Sequence, residues 1–214
     1  VMAWALTALS LYSEENSDPQ VRALADEIFE ECLHGAWCAD GGLFRHYAHA
    51  GRTLRGMSLF STQIYWVYAL ATYGRIFDNK QAVEMAETCA DKLISMRDAY
   101  YGWPWRYDAE GGRVAEQYPV YAVHQDAMAP MALHALGDAN GRSYAQINRE
   151  SMSWLHHNQL GIDLIAPEHN AIYRAIRRRF PFNRAAIQVG RLSAFANQNS
   201  PTIDKPWFLR LNTT

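Results

Sequence analysis

The chain has 214 residues, about half of them hydrophobic, with a formal net charge of −2. That is long enough for one sizeable core, and the near-neutral balance argues against a general affinity for nucleic acid or an anionic membrane surface. The three cysteines, Cys32, Cys38 and Cys89, make no C-x-x-C or zinc-type spacing, which excludes a disulfide framework and a standard zinc site.

Val1 lies inside an apolar helical pattern with no initiator Met, so the sequence reads as a piece of a longer protein. It shows no signal peptide and no apolar run of about 20 residues. A cytoplasmic protein without cofactor or metal is the expectation.

Three segments then share one layout, a sign of tandem supersecondary units. They run from Met2 to Tyr47, from Gln63 to Asp108 and from His124 to about Asn170. Each opens on an apolar helix with an Ala-Leu pair: Ala5-Leu6, Ala69-Leu70 and Ala132-Leu133, spaced 64 and then 63 residues apart. Each first helix ends in a polar turn: Ser13 to Asp18, Asp78-Asn79, and Gly137 to Gly141. An amphipathic helix follows. Val21, Leu24, Ala25, Ile28 and Cys32 share one face in the first unit, and Val83, Ala86, Ala90 and Leu93 in the second. Tyr144, Ile147 and Trp154 do so less regularly in the third. Cys32 and Cys89 fall on these apolar faces as small core residues.

The first helices are apolar nearly all round, as buried helices are, and the second have one wet face. An inner ring of buried helices inside an outer ring of amphipathic ones is the pattern of an α/α toroid. The predicted fold is therefore all-α: about three and a half hairpins over residues 1–196, a tail over 197–214, and short β pieces in the connecting loops. Those pieces are placed at Leu43 to Tyr47 and at Arg113 to Val120. The loops after the second helices correspond, reading Gly41-Gly42-Leu43-Phe44-Arg45-His46-Tyr47 and Gly102-Trp103-Pro104-Trp105-Arg106-Tyr107-Asp108. In a toroid such loops converge on one end.

On the helix-pair period, the apolar first helices and the Gly102–Asp108 loop, the chain over about residues 1 to 170 resembles the six-hairpin glycosidase-like superfamily. That resemblance implies an (α/α)6 toroid with a sugar-binding cleft at its loops. A second resemblance is to the terpenoid cyclase and prenyltransferase toroids. Trp154-Leu155 with Gln159, and Leu93-Ile94 with Asp98 and Gly102-Trp103, loosely follow the repeat of the triterpene cyclases, although the D-x-D-D acid motif of those enzymes is absent. It implies aromatic rings that stabilise carbocations. A non-catalytic helical-repeat scaffold is the third reading.

The chemistry-bearing residues concentrate between Tyr100 and Asp126. Trp103, Trp105, Tyr107, Tyr118 and Tyr121 could stack on sugar rings, with Arg106 and Gln125 fixing hydroxyls or an acidic group; His46 and Tyr47 would share the rim. Each Trp could equally plug its loop onto the core. Glycoside hydrolysis needs two carboxyl groups, and Asp108 with Asp126 is the first pair, Glu116 the reserve acid. His124 could act as acid or base in an epimerase or lyase instead, and Asp126 could merely cap the third inner helix. His46 and His49 lack a companion carboxylate for a metal. Arg177-Arg178-Arg179 before Phe180-Pro181-Phe182 could bind phosphate or nucleic acid, but the six arginines from Arg174 to Arg191 read better as a solvated helix face or a contact with further hairpins. A helix is expected from about Asn183 to Ala196, then a looping tail docked by Trp207-Phe208-Leu209.

Overall fold

The computed structural model describes residues 1–47, 56–178 and 209–212. Among the described residues lie six α-helices arranged as three hairpins: α1 (Met2–Glu15) with α2 (Pro19–Glu31), α3 (Phe60–Phe77) with α4 (Lys80–Ser95), and α5 (Ala129–Asn140) with α6 (Ala145–Ser153). α3 packs on α1, α4 and α5, which makes α1, α3 and α5 the inner row. This is the predicted α/α architecture. α3 buries residues on every side of its axis, Gln63, Ile64, Trp66, Val67, Leu70 and Tyr73 among them. α1 departs from the expectation of all-round burial, because Trp4, Leu11 and Tyr12 stay exposed.

Local chemistry sets the helix ends. Asp18 caps α2 by accepting from the Gln20 N–H at 2.8 Å, with Pro19 in the first turn where its missing N–H is not needed. Asn79 caps α4 through the Ala82 N–H at 3.0 Å. Asp78 and Gly141 adopt left-handed backbone (φ 54° and 73°) to end α3 and α5.

Short strands join the loop ends of the hairpins. β1 (Trp37–Cys38) pairs with β2 (Leu43–Phe44), and β3 (Met57–Leu59), β4 (Arg106–Asp108) and β5 (Arg113–Glu116) form a second antiparallel sheet in that order. A third sheet joins β6 (Val120–Tyr121), β9 (Ala175–Arg178) and β10 (Leu209–Asn212), and a two-residue pair joins β7 (Ile165–Ala166) to β8 (Ala171–Ile172). Two expectations are corrected here. Residues 209–212, read as loop, are a strand, with Leu209 docked at 1% exposure. The stretch from Ala175 to Arg178, read as part of a helix face, is extended and paired on both sides. The expected helix at 183–196, His49, Arg179, Arg184, Arg191 and Trp207-Phe208 lie outside the described residues.

Two polar junctions tie these pieces. Fully buried Gln63 lies against β2 much as a neighbouring strand would: its Oε1 accepts from the Phe44 N–H at 2.8 Å and its Nε2 donates to the Phe44 carbonyl at 2.7 Å. Nε2 also donates to Ser58 Oγ at 2.5 Å, and Cys89 Sγ reaches Oε1 at 3.5 Å. One amide thus joins the first hairpin's exit to β3, α3 and α4. The second junction is Asp98, whose carboxylate accepts from the Tyr100 and Gly102 N–H groups (2.8 Å each) and from Gln117 and Gln159 Nε2 (2.9 and 2.5 Å).

Replacing Gln63 with Leu, of similar volume, leaves the Phe44 N–H and C=O buried without their partners. The variant is expected to lose roughly 2–4 kcal/mol of stability, read as a lower urea midpoint with unchanged slope.

Candidate functional site

The connections at the start of α3 and α5 meet through backbone hydrogen bonds. The His46 N–H donates to the Met57 carbonyl at 3.3 Å, the Phe60 N–H to Trp105 at 3.0 Å and the Trp105 N–H to Gln117 at 3.2 Å. β3–β4 pairing continues the join, so the loops after α2 and α4 and the loop before α5 are stitched into one surface. His46, Trp105, Tyr118 and His124 are brought to the same end, as the repeat predicted.

Within that surface the aromatic residues divide into two groups. Trp103 is 1% exposed, with its indole N–H donating to Ser151 Oγ at 2.7 Å, and Ser151 Oγ donates in turn to the Gln125 carbonyl at 3.0 Å. Tyr107 is fully buried in the main core, and burial raises its hydroxyl pKa well above the ordinary value. Both hold the loop on the core. Tyr118 is buried in a smaller core beneath the third sheet. Trp105 is half-buried under the Arg106 guanidinium, 4.1 Å from the ring centroid. Tyr121, half-buried, lies 5.1 Å from the His124 ring, and His124 lies 4.5 Å from Phe60. Tyr47 is exposed edge-on to His46, whose Nδ1 is 2.5 Å from Thr62 Oγ1 in the first turn of α3.

The carboxyl groups divide as sharply. Asp108 accepts from Arg113 Nε at 3.1 Å and from the Gly111 N–H at 3.0 Å. Glu116, buried, accepts from Arg178 at 2.6 Å and from the Tyr118 N–H at 3.2 Å. Asp126 differs: it is half-buried with no ion pair among the described residues, and burial raises its pKa. No hydrogen bond joins Asp108 to Asp126 among the described residues.

Asp126 sits in a π-helical segment, His124–Met128, that leads into α5. Such insertions shift side chains out of the regular helical register and are frequent at functional sites. This one gathers polar atoms that lack partners among the described residues, His124 Nδ1 and Gln125 Oε1. Burial lowers the His124 pKa to about 3, so the ring is neutral at ordinary pH. Gln125 is held by its Nε2 on the Tyr121 carbonyl at 3.2 Å. Among the described residues there is no cluster of three or more His, Cys, Asp or Glu that could hold a metal, and no helix long and apolar enough to cross a membrane.

Sequence reasoning passed over Phe60 and set Arg174 and Arg177 on a solvated helix face. The Arg174 guanidinium lies 5.6 Å from the Tyr121 ring centroid, and Arg177 belongs to β9, in the same sheet as Tyr121.

The sequence matches no protein-family model and no curated protein. Several solved structures share its fold. A sugar epimerase from a ruminal bacterium aligns with TM-score 0.66 at 14% identity, over 83% of this chain and 49% of that one. Cellobiose 2-epimerase from Spirochaeta thermophila gives 0.64 at 14% identity, over 94% and 54%. Unsaturated glucuronyl hydrolase from Bacillus sp. GL1 gives 0.61 at 13% identity, over 97% and 58%. These are six-hairpin glycosidase-like toroids, and the resemblance read from the hairpin repeat holds at the level of the fold. The chain spans about half the length of the structures it matches.

A buried neutral imidazole has a testable consequence. The folded pKa of His124 is depressed from 6.5 to about 3, so its contribution to stability is complete above 6.5 and is lost as pH falls toward 3. A His124→Phe variant, lacking that group, should lose less stability than the parent between about pH 7 and about pH 4, a difference on the order of a few kcal/mol by urea unfolding.

Proposed function

We propose that this chain forms part of a carbohydrate-active α/α-toroid enzyme whose site lies at the loop end of α3 and α5, with Asp126 as its acid–base group. The observation that carries the reading is the state of Asp126: half-buried, without a cation partner among the described residues, its pKa raised by burial, and set in the π-helical segment that also carries His124. A carboxyl whose pKa is raised by its surroundings is what a proton donor to a leaving sugar oxygen requires. Rings of half-buried tyrosine and tryptophan with nearby arginines suit a pyranose. The named activities of the structural neighbours, two sugar epimerases and a glucuronyl hydrolase, agree with a sugar substrate.

The reaction assigned first is glycoside hydrolysis. Asp126 would protonate the glycosidic oxygen while a second carboxyl acts at the anomeric carbon. Asp108, oriented by Arg113 and the Gly111 N–H, is the candidate for that second group. Epimerisation is the second reading, favoured by the neutral imidazole that the same π-helical segment carries, whose Nδ1 has no partner among the described residues.

The two reactions leave different marks. Hydrolysis of an oligosaccharide generates new reducing ends. Epimerisation generates none, but it carries solvent deuterium onto the carbon beside the carbonyl. Running the full chain on a panel of oligosaccharides in D2O, with chromatography and mass spectrometry, should show new reducing ends. Asp126→Asn should lower the rate at least about 100-fold. Activity should fall as pH rises through the elevated Asp126 pKa, because the donor is then ionised. Full activity in Asp126→Asn would remove the assignment.

A further inference from the structure

The third sheet carries its charge in an uneven way. Antiparallel register pairs Val120 with Ile176 and Ile176 with Leu211, so these three share one face of the sheet. That face is the apolar one: Val120 and Ile176 lie in the smaller core with Leu209, and Leu211 packs against it. The same register pairs Tyr121 with Ala175, Ala175 with Asn212, and Arg177 with Arg210, and these belong to the opposite face.

Arg177 and Arg210 therefore stand directly across from each other on neighbouring strands, where like charges repel at a Cβ separation of about 5 Å. Neither forms an ion pair among the described residues, and Arg177 Nε is buried with no hydrogen-bond partner there. Arg174, exposed, adds a third cation over the Tyr121 ring. The contrast is Arg178, which belongs to the apolar face. It is neutralised by Glu116 at 2.6 Å and covers the Tyr118 ring at 5.4 Å. The sheet thus pairs off the arginine directed toward its core and leaves three others without a carboxylate among the described residues. Arg177 and Arg210 share their face of the sheet with Tyr121, and Arg174 lies over that ring, which also meets His124.

We propose that the sugar bound at this site bears an acidic group, either the carboxylate of a uronic acid or a phosphate ester, and that Arg177 and Arg210, with Arg174 beside them, hold it. A guanidinium presents a planar fork that fits two oxygens of either group, and a fixed anion would relieve the repulsion between the paired cations. The inference rests on the sugar-binding reading above and narrows it to a substrate class.

The test is calorimetric titration of the full chain with glucuronate, glucose 6-phosphate, glucose and inorganic phosphate. An acidic sugar should bind at least tenfold more tightly than glucose, and the better of the two identifies the group as carboxylate or phosphate. Arg177→Gln should weaken that binding at least tenfold with glucose affinity unchanged, and Arg177→Lys should restore part of it. Should Arg177→Gln fail to fold, Arg210→Gln, at an exposed position on an outer strand of the sheet, carries the same expectation. Equal binding of glucose and both acidic sugars overturns this proposal and leaves the carbohydrate reading standing. Inorganic phosphate binding as tightly as the acidic sugars overturns it too, since the ring then contributes nothing. Binding of no sugar at all overturns both.

Discussion

Asp98 stands where the second hairpin's exit meets both ends of the third hairpin, and its two oxygens accept four donors. Two are backbone N–H groups of its own turn; the others are the side-chain amides of Gln117 and Gln159. Charge-assisted bonds of this number offset the desolvation of a carboxylate and fix three chain segments against one point. Gly102 is part of the same constraint: a Cβ there would sit 2.8 Å from Asp98 Oδ2 and 3.0 Å from Trp154 Nε1. With the turn closed so tightly, Trp103 enters the core and reaches Ser151, and Ser151 holds the Gln125 carbonyl. The π-helical segment that presents Asp126 is therefore positioned from Asp98 through a buried chain of polar contacts.

The hairpins were legible because similar local chemistry recurs along the chain. An apolar stripe marks each one, and a capping residue, a left-handed turn residue or both close its turn. The short strands were legible only in part. β9 and β10 hold four residues each and are separated by a long stretch of chain, and nothing local in Leu209–Asn212 announces its partner. A cluster of arginines there reads as a wet helix face until pairing with β6 shows which of them the core needs. The aromatic-rich region was legible as a region, since so many rings in loops exceed what packing needs. Which rings face inward was not, because it depends on Ser151 meeting Trp103 across 48 residues. In retrospect Asp108 carried a turn signal, with Gly111 three positions on, and the structure uses it that way.

The residues that suggested a cyclase-type repeat have a physical explanation in the same place. Asp98, Gly102 and Trp103 from one hairpin and Trp154 and Gln159 from the next all belong to the Asp98 junction. Trp154 donates to Gln159 Oε1 at 3.1 Å, and Gln159 donates to Asp98. An indole, an amide and a carboxylate at that spacing fasten one helical hairpin to its successor. The pattern is thus a requirement of stacking hairpins and says nothing of carbocations.

The loop end of the toroid sorts its charges. Arg45 with Glu110, Arg113 with Asp108 and Arg178 with Glu116 are matched pairs that hold the small sheets together. Asp126 has no cation partner among the described residues, and Arg174, Arg177 and Arg210 have no anion there. The chain as a whole is nearly neutral, so this separation is local. Guanidiniums cannot shed their charge, whereas a half-buried carboxyl can keep its proton, and the upward shift at Asp126 is that response to burial.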